Sequence, residues 1–521
     1  MKKTLAWITI TGLFVCAFPT SAFAEPAASD GVIEEMKEEA EEPETGRDED
    51  EEGGKSERPD DNIVTTKHTV SIKGEDISYT AEAGTMVLES GGKTCEMFYT
   101  AYTRDDIEDK TDRPVTFAFN GGPGASSYCI QFGCLGPRTA ELDETGCAVS
   151  LPTKIIDNEN SVLDMTDLVF IDPVGTGYSH ASNEEDEDYF LGYDKDIQSV
   201  GDFIRQYTNR KKRWGSKKYI AGESYGTVRA VGVCDYLVNR YAVYINGLML
   251  ISTVNDYSAL MAGGGNDTPY TVYIPTYAAD AWYHKKLSEE YLDMELEDYL
   301  EEVREFVETE YVPALFIGRR LPKAKKDDLA EKMSGYIGLP KDLILENNLR
   351  IDLDVFSSNL LKDEGLMVGR YDGRITGPNT GGSLDDGSGD PSGFSTDIAY
   401  TNSYLEYLTS ELGYDTDTPF IPLSLEVNTK WTFPEGEYLN QQDIIAGCLG
   451  KNSFLKIWVL CGYYDGATPF YSAEWAYNHA FIPENREDNL SFTYYPSGHM
   501  IYMNHEAFDK FRKDAEKWYD R

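Results

Sequence analysis

A Gly-x-Ser-x-Gly step, Gly222-Glu223-Ser224-Tyr225-Gly226, constrains this chain more than any other feature. Before it runs Lys217-Lys218-Tyr219-Ile220-Ala221, a short strand pattern. After it, Thr227 to Tyr241 carries Val228, Ala230, Val231, Val233, Leu237 and Val238 at helical spacing. Strand, tight turn and helix in that order lift a serine Oγ above the edge of a parallel sheet. Alone, the five residues would make an ordinary Gly/Ser turn; the flanking patterns make Ser224 a candidate nucleophile.

A serine needs a base to take its proton and an acid to orient that base. On a sheet of this kind they follow in the order Ser, Asp or Glu, His. Among His68, His180, His284, His479, His499 and His505, only His499 sits in a turn directly after a late strand pattern, Leu490 to Tyr495. His505 falls at the start of a terminal helix pattern, Glu506 to Tyr519. One strand earlier, Lys456-Ile457-Trp458-Val459-Leu460-Cys461 leads into Gly462-Tyr463-Tyr464-Asp465-Gly466. Order and strand-end placement make Ser224, Asp465 and His499 a candidate triad.

A third Gly-rich turn, Asn120-Gly121-Gly122-Pro123-Gly124-Ala125-Ser126-Ser127, follows the strand pattern Pro114 to Phe119. A backbone N–H after this early strand and the N–H of the residue after the nucleophile are the expected oxyanion donors, which assigns Gly122 and Tyr225.

At this point the chain resembles the serine carboxypeptidases, peptidase family S10. The resemblance rests on the Asn120–Ser127 block, Asp172-Pro173-Val174-Gly175-Thr176-Gly177-Tyr178-Ser179, the Gly222–Gly226 step, and the Asp465 and Gly498-His499-Met500 turns. Tyr463-Tyr464-Asp465 and Asp172-Pro173 are similar to its bacterial-type branch. It implies cleavage of a peptide's last bond, with peptides bearing a free C-terminus as substrates. It also implies that Asn120, Gly121 and Glu223 hold the terminal carboxylate. Glu223 must be protonated for that, since two bare carboxylates repel, which implies an acidic working range. Three positions depart from the family pattern: Ala118 stands for Trp, Ala125 for Cys, and Cys134 for a Glu of the carboxylate network. The triad is untouched by these changes, and the carboxylate side is altered.

Lys2-Lys3, the apolar run Leu5 to Phe18 and Ala22-Phe23-Ala24 read as a signal peptide cut after Ala24. The expected location is secreted or cell-envelope, with no stable membrane insertion after removal of the signal. Residues 25–61 are dominated by Glu and Asp and are expected to be a disordered acidic linker. A net charge of −44 argues against nucleic acid and anionic membranes as partners. Seven cysteines follow the signal; the odd number leaves at least one free thiol, and Cys234 and Cys461 lie in apolar core patterns. No metal or other cofactor motif is present.

Strand patterns at 62–110, Phe117, Leu168–Ile171, Tyr219–Ile220 and Leu248–Ile251 alternate with helical ones such as Asp194 to Tyr207. They predict an α/β-hydrolase fold over 62–521, with a mostly parallel central sheet and a helical lid insertion at about 273–366. Its helices are expected at Tyr277–Lys286, Tyr291–Tyr311 and Ala324–Tyr336. The chemistry expected is that of a secreted serine carboxypeptidase. An acyltransferase or esterase would share the triad, and a non-enzymatic surface binding protein would not need it.

Overall fold

In the computed structural model, residues 61–520 are described, apart from 144–145, 380–383, 385–388 and 436–437. The signal-peptide and acidic-linker readings of 1–24 and 25–61 therefore lie outside the described residues, save for Asp61. The strands are β1 (Asn62–Ile72), β2 (Glu75–Ser90), β3 (Lys93–Arg104), β4 (Val115–Phe119), β5 (Arg138–Ala140), β6 (Ile155–Asp157) and β7 (Asp167–Ile171). Then come β8 (His180–Ala181), β9 (Lys218–Glu223), β10 (Gly247–Ile251), β11 (Leu366–Val368), β12 (Thr376–Pro378), β13 (Lys456–Gly462) and β14 (Leu490–Tyr495). The main sheet runs β1-β2-β3-β7-β4-β9-β10-β13-β14. β1, β2, β3 and β7 pair antiparallel, and every pairing from β7 through to β14 is parallel.

Burial explains why the central strands read as unbroken apolar runs: every residue of β4, β7, β9 and β10 is buried. A strand covered on both faces cannot alternate apolar with polar, but its side chains still point alternately to opposite faces. Phe117, Phe119, Val169, Ile171, Ile220, Leu248, Leu250, Ile457 and Val459 join one core. Ala118, Leu168, Phe170, Tyr219, Ala221, Met249, Ile251, Trp458 and Leu460 join the other. The first core is covered by α1 (Tyr193–Arg210) and α2 (Tyr225–Tyr241), and the second by the terminal helix His505–Tyr519.

Between β10 and β13 the chain makes a long excursion. Helices occupy Ile274–Tyr283, Leu296–Phe306 and Lys323–Ile337. The first begins three residues ahead of the sequence expectation, because Pro275 lies in its first turn, where a missing N–H breaks no helical bond. The excursion does not stop at 366: it continues through the β11–β12 hairpin and the helix Pro391–Glu406. No described helix is long and apolar enough to cross a membrane. The seven described cysteines are all free thiols, and Cys234 and Cys461 are buried.

One buried ion pair ties both helices of the first core to the end of β4. Arg229 on α2 donates from Nε to both carboxylate oxygens of Asp196 on α1, at 2.9 and 2.7 Å, and from Nη1 to the Asn120 carbonyl at 2.5 Å. Its guanidinium lies 5.3 Å from the ring centroids of both Phe119 and Tyr225. Arg229→Leu would leave Asp196 charged and alone in the core, so urea unfolding should show a loss of about 3–5 kcal/mol. An unchanged midpoint would mean that Asp196 finds another partner.

Candidate active site

All three candidate triad residues follow carboxyl ends of parallel strands of the main sheet: Ser224 after β9, Asp465 after β13 and His499 after β14. Strand-end loops on one edge of a parallel sheet converge there, which is why such edges hold sites. Ser224 stands at φ 60° and ψ −130°, a conformation L-residues avoid, with α2 starting at the next residue. Its N–H donates to the Ile251 carbonyl at 3.0 Å, and its carbonyl accepts from the Thr227 N–H at 2.8 Å. Two glycines make the sharp turn possible. A Cβ on Gly222 would lie 2.1 Å from the Gly226 carbonyl oxygen, and one on Gly121 would lie 2.4 Å from the Tyr225 nitrogen. The early Gly-rich loop thereby comes directly against the first turn of α2, whose leading N–H groups have no acceptor within the helix.

His499 Nδ1 meets Asp465 Oδ2 at 2.8 Å, with both side chains buried. The carboxylate is fully engaged. Oδ1 accepts the Ala467 and Thr468 N–H groups at 2.8 Å each, and Oδ2 also accepts Thr468 Oγ1 at 2.7 Å. Facing an acceptor, Nδ1 carries the imidazole proton, and Nε2 is left with its lone pair. Burial pulls down on the His499 imidazolium, but the charge and hydrogen bond of Asp465, with Glu223 behind, outweigh it and hold its pKa above the usual 6.5.

The carboxylate-side candidates also come together. Asn120 Nδ2 donates to Glu223 Oε1 at 2.7 Å, and Asn120 Oδ1 accepts the Ile130 N–H at 2.9 Å. Glu223 is 2% exposed, and burial pushes its carboxyl up to about 7 against the opposing pull of His499.

Ser224, His499, Asn120, Gly121, Gly122, Glu223 and Tyr225 all line one cleft of about 460 Å³. Its remaining walls come from Val254, Tyr257 and Leu260 after β10, and from residues 370–433, including Arg370, Tyr371, Leu423 and Phe433. None of the described lining residues belongs to 273–366.

Sequence reading missed a strap that holds the His499 turn. The His499 N–H donates to the Tyr371 carbonyl at 2.6 Å, and the Gly498 N–H to Asp372 Oδ2 at 3.1 Å. Arg374 braces that carboxylate from Nη2 at 2.6 Å and donates from Nη1 to the Pro496 carbonyl at 2.6 Å. The signal available was the run Gly369-Arg370-Tyr371-Asp372-Gly373-Arg374, where charges of both signs are crowded between glycines. Thr468, bonded to both Asp465 and its own turn, was visible only as an Asp-x-x-Thr spacing.

Part of the chain is similar to known proteins. The family described as serine carboxypeptidase, Peptidase S10, matches residues 75–297. The pheromone-processing carboxypeptidase KEX1 of Saccharomyces cerevisiae is 28% identical over 227 residues, covering 42% of this chain and 28% of that protein. Carboxypeptidase Y homolog A of Sordaria macrospora is 28% identical over 209 residues, covering 37% of this chain and 33% of that protein. The chain thus spans about a third or less of the length of these relatives. The crystal structure of Saccharomyces cerevisiae KEX1, a prohormone-processing carboxypeptidase, superposes with a TM-score of 0.52 at 18% identity, covering 84% of this chain and 92% of that one. The stretch that holds Asn120, Glu223 and Ser224 thus matches the serine carboxypeptidase family, and the fold that carries it is an α/β-hydrolase fold like that of the KEX1 structure.

Proposed function

We propose that this protein is a secreted serine carboxypeptidase that releases C-terminal amino acids from peptides through an acyl-enzyme. The observation that carries the reading is Glu223: a buried acid raised to about 7, one residue before Ser224 and bonded to Asn120. An enzyme that cuts esters or internal peptide bonds has no terminal carboxylate for such a group to hold. One that cuts at a free C-terminus must hold a carboxylate, and a protonated acid can do so by donating to it. The Asn120 amide spends one N–H on Glu223 and keeps its second for the substrate. The Gly121 N–H is the third donor.

In this mechanism Ser224 Oγ attacks the scissile carbonyl while His499 Nε2 takes its proton and passes it to the departing amino acid. Asp465 holds the tautomer, and the N–H groups of Gly122 and Tyr225 receive the oxyanion. Water then attacks the acyl-enzyme with His499 again as base. The signal read at 1–24 supports release outside the cytoplasm, and the acidic segment 25–61 is read as a solvated spacer. The helical insertion at 273–366 supplies none of the described cleft lining, but His284 Nε2 bonds the Gly373 carbonyl at 2.7 Å beside the Tyr371 strap. Placement in the bacterial-type branch rests on Tyr463-Tyr464-Asp465 and Asp172-Pro173 alone, since the relatives reported above are fungal.

Free-acid hydrolysis needs Glu223 protonated and His499 neutral. Activity should therefore fall as pH rises through about 7, the Glu223 value, and also fall on the acid side as His499 takes a proton. The two groups interact, so the limbs report the pair. A charge-assisted hydrogen bond is worth roughly 1.5–3 kcal/mol, so Asn120→Ala should cut kcat/KM on a free-acid peptide by about 10- to 150-fold. The matching C-terminal amide should lose far less, and Glu223→Gln should flatten the alkaline fall. If the wild type cleaves acid and amide equally and Asn120→Ala treats them alike, the carboxypeptidase reading fails. An esterase or acyltransferase then takes its place.

A further inference from the structure

Behind Glu223 the site is walled by hydroxyls and thiols. Tyr502 lies in the single turn Ile501–Met503 just past His499, Tyr400 on the helix Pro391–Glu406, and Cys129 and Cys134 on the π-helical turn Cys129–Leu135. Tyr400, Tyr502, Cys129 and Cys134 are all buried. Gly133 makes the seat for Tyr502: a Cβ there would lie 2.5 Å from Tyr502 Cε2 and 3.2 Å from Tyr400 Cζ. Three buried oxygens at this wall, Glu223 Oε2, Tyr502 Oη and Tyr400 Oη, have no hydrogen-bond partner among the described residues; of the two hydroxyls, it is that of Tyr502 that acts on Glu223 as a hydrogen-bond donor. They are not strangers. The Tyr502 hydroxyl draws the Glu223 carboxyl toward its ionised form, although the pair stops short of a formed hydrogen bond. A buried acceptor and a buried donor left unpaired at one wall are both satisfied once a small shift of the ring brings the hydroxyl within hydrogen-bond reach.

We propose that Tyr502 is the positioning residue of Glu223, donating its O–H to Oε2 from behind while Asn120 holds Oε1. Burial keeps the Tyr502 phenol protonated far above neutral pH, so it remains a donor throughout the working range. With donors on both of its oxygens, Glu223 has no acceptor behind it for its own proton. That proton is left facing the cleft, where a substrate carboxylate accepts it. The groups acting on Glu223 are His499 and Asp465 in front, and Tyr502, Tyr400 and Cys134 behind, with Cys129 beside the two tyrosines. Of those behind, the Tyr502 hydroxyl is the one that favours the carboxylate by hydrogen bonding.

The proposal rests on Glu223 being the carboxylate-binding acid, and two readouts separate the claims. Tyr502→Phe keeps the ring in its seat and removes only the hydroxyl. In ligand-free protein, the infrared C=O band of protonated Glu223 is the one that Glu223→Gln abolishes. In Tyr502→Phe it should persist to a pH higher by roughly 0.5–1 unit than in wild type. For an N-blocked dipeptide, the alkaline fall in kcat/KM should move up by the same amount. Its C-terminal amide should not move, and Tyr502→Phe added to Glu223→Gln should shift neither profile. An infrared midpoint that stays or falls overturns the role of Tyr502. A midpoint that rises while the free-acid profile stays fixed supports Tyr502 and overturns the role of Glu223.

Discussion

Ser224→Ala should lower kcat by on the order of 10⁶ while leaving the fold intact. The substitution keeps the Cβ, so the turn at φ 60° and its bond to the Ile251 carbonyl are unchanged. His499→Ala should cost about as much, and the double variant little more, because a nucleophile without its base and a base without its nucleophile fail alike. What survives is the rate that binding and the Gly122 and Tyr225 N–H groups supply on their own. Labelling with a fluorophosphonate, read by mass spectrometry, should place the adduct on Ser224 and lose it in Ser224→Ala. Normal turnover in that variant, or an adduct on a different serine, would end the reading.

The parts of the site that could be read from the sequence are those whose geometry is local. Gly222 is glycine because its own turn leaves no room for a side chain, and the serine two residues on must turn against the strand that precedes it. Asp465 and His499 stand out because each follows the end of a short strand within a few residues. The strand patterns carried the sheet for the same reason: Leu490–Tyr495 is found as expected, and Leu248–Ile251 gains only Gly247. The order of strands and the two-sided core were not legible, since a fully buried strand shows one apolar run whichever way it faces. The cleft walls were hidden for a different reason. Arg370, Tyr371 and Phe433 lie in a long excursion with no strand of the main sheet to index them, and topology alone returns them to the cleft beside Ser224. The bond from the His499 N–H to the Tyr371 carbonyl is harder still, because a backbone acceptor leaves no trace in residue identity. Tyr502 was passed over because its value lies in one hydroxyl, seated by a missing side chain at Gly133, far from it in sequence.

Asp465→Asn should lower kcat by about 10⁴ with little change in stability, through the wrong tautomer of His499. Oδ1 accepts two backbone N–H groups, from Ala467 and Thr468, at 2.8 Å each. An amide nitrogen in that position would face two donors, so the Asn oxygen must take it. The NH₂ group then occupies the place of Oδ2 and points at His499 Nδ1, now 2.8 Å from a carboxylate oxygen. Donor cannot face donor, so the imidazole proton moves to Nε2 and Nδ1 becomes the acceptor. His499 then presents an N–H to the serine and cannot take its proton. Thr468 Oγ1 loses its acceptor but can turn toward its own turn or Nδ1, 3.2 Å away, so the pocket stays filled. Thermal melting should therefore hold near the wild-type value while kcat collapses and KM changes little. A loss below about tenfold would mean that Asp465 does not set the tautomer.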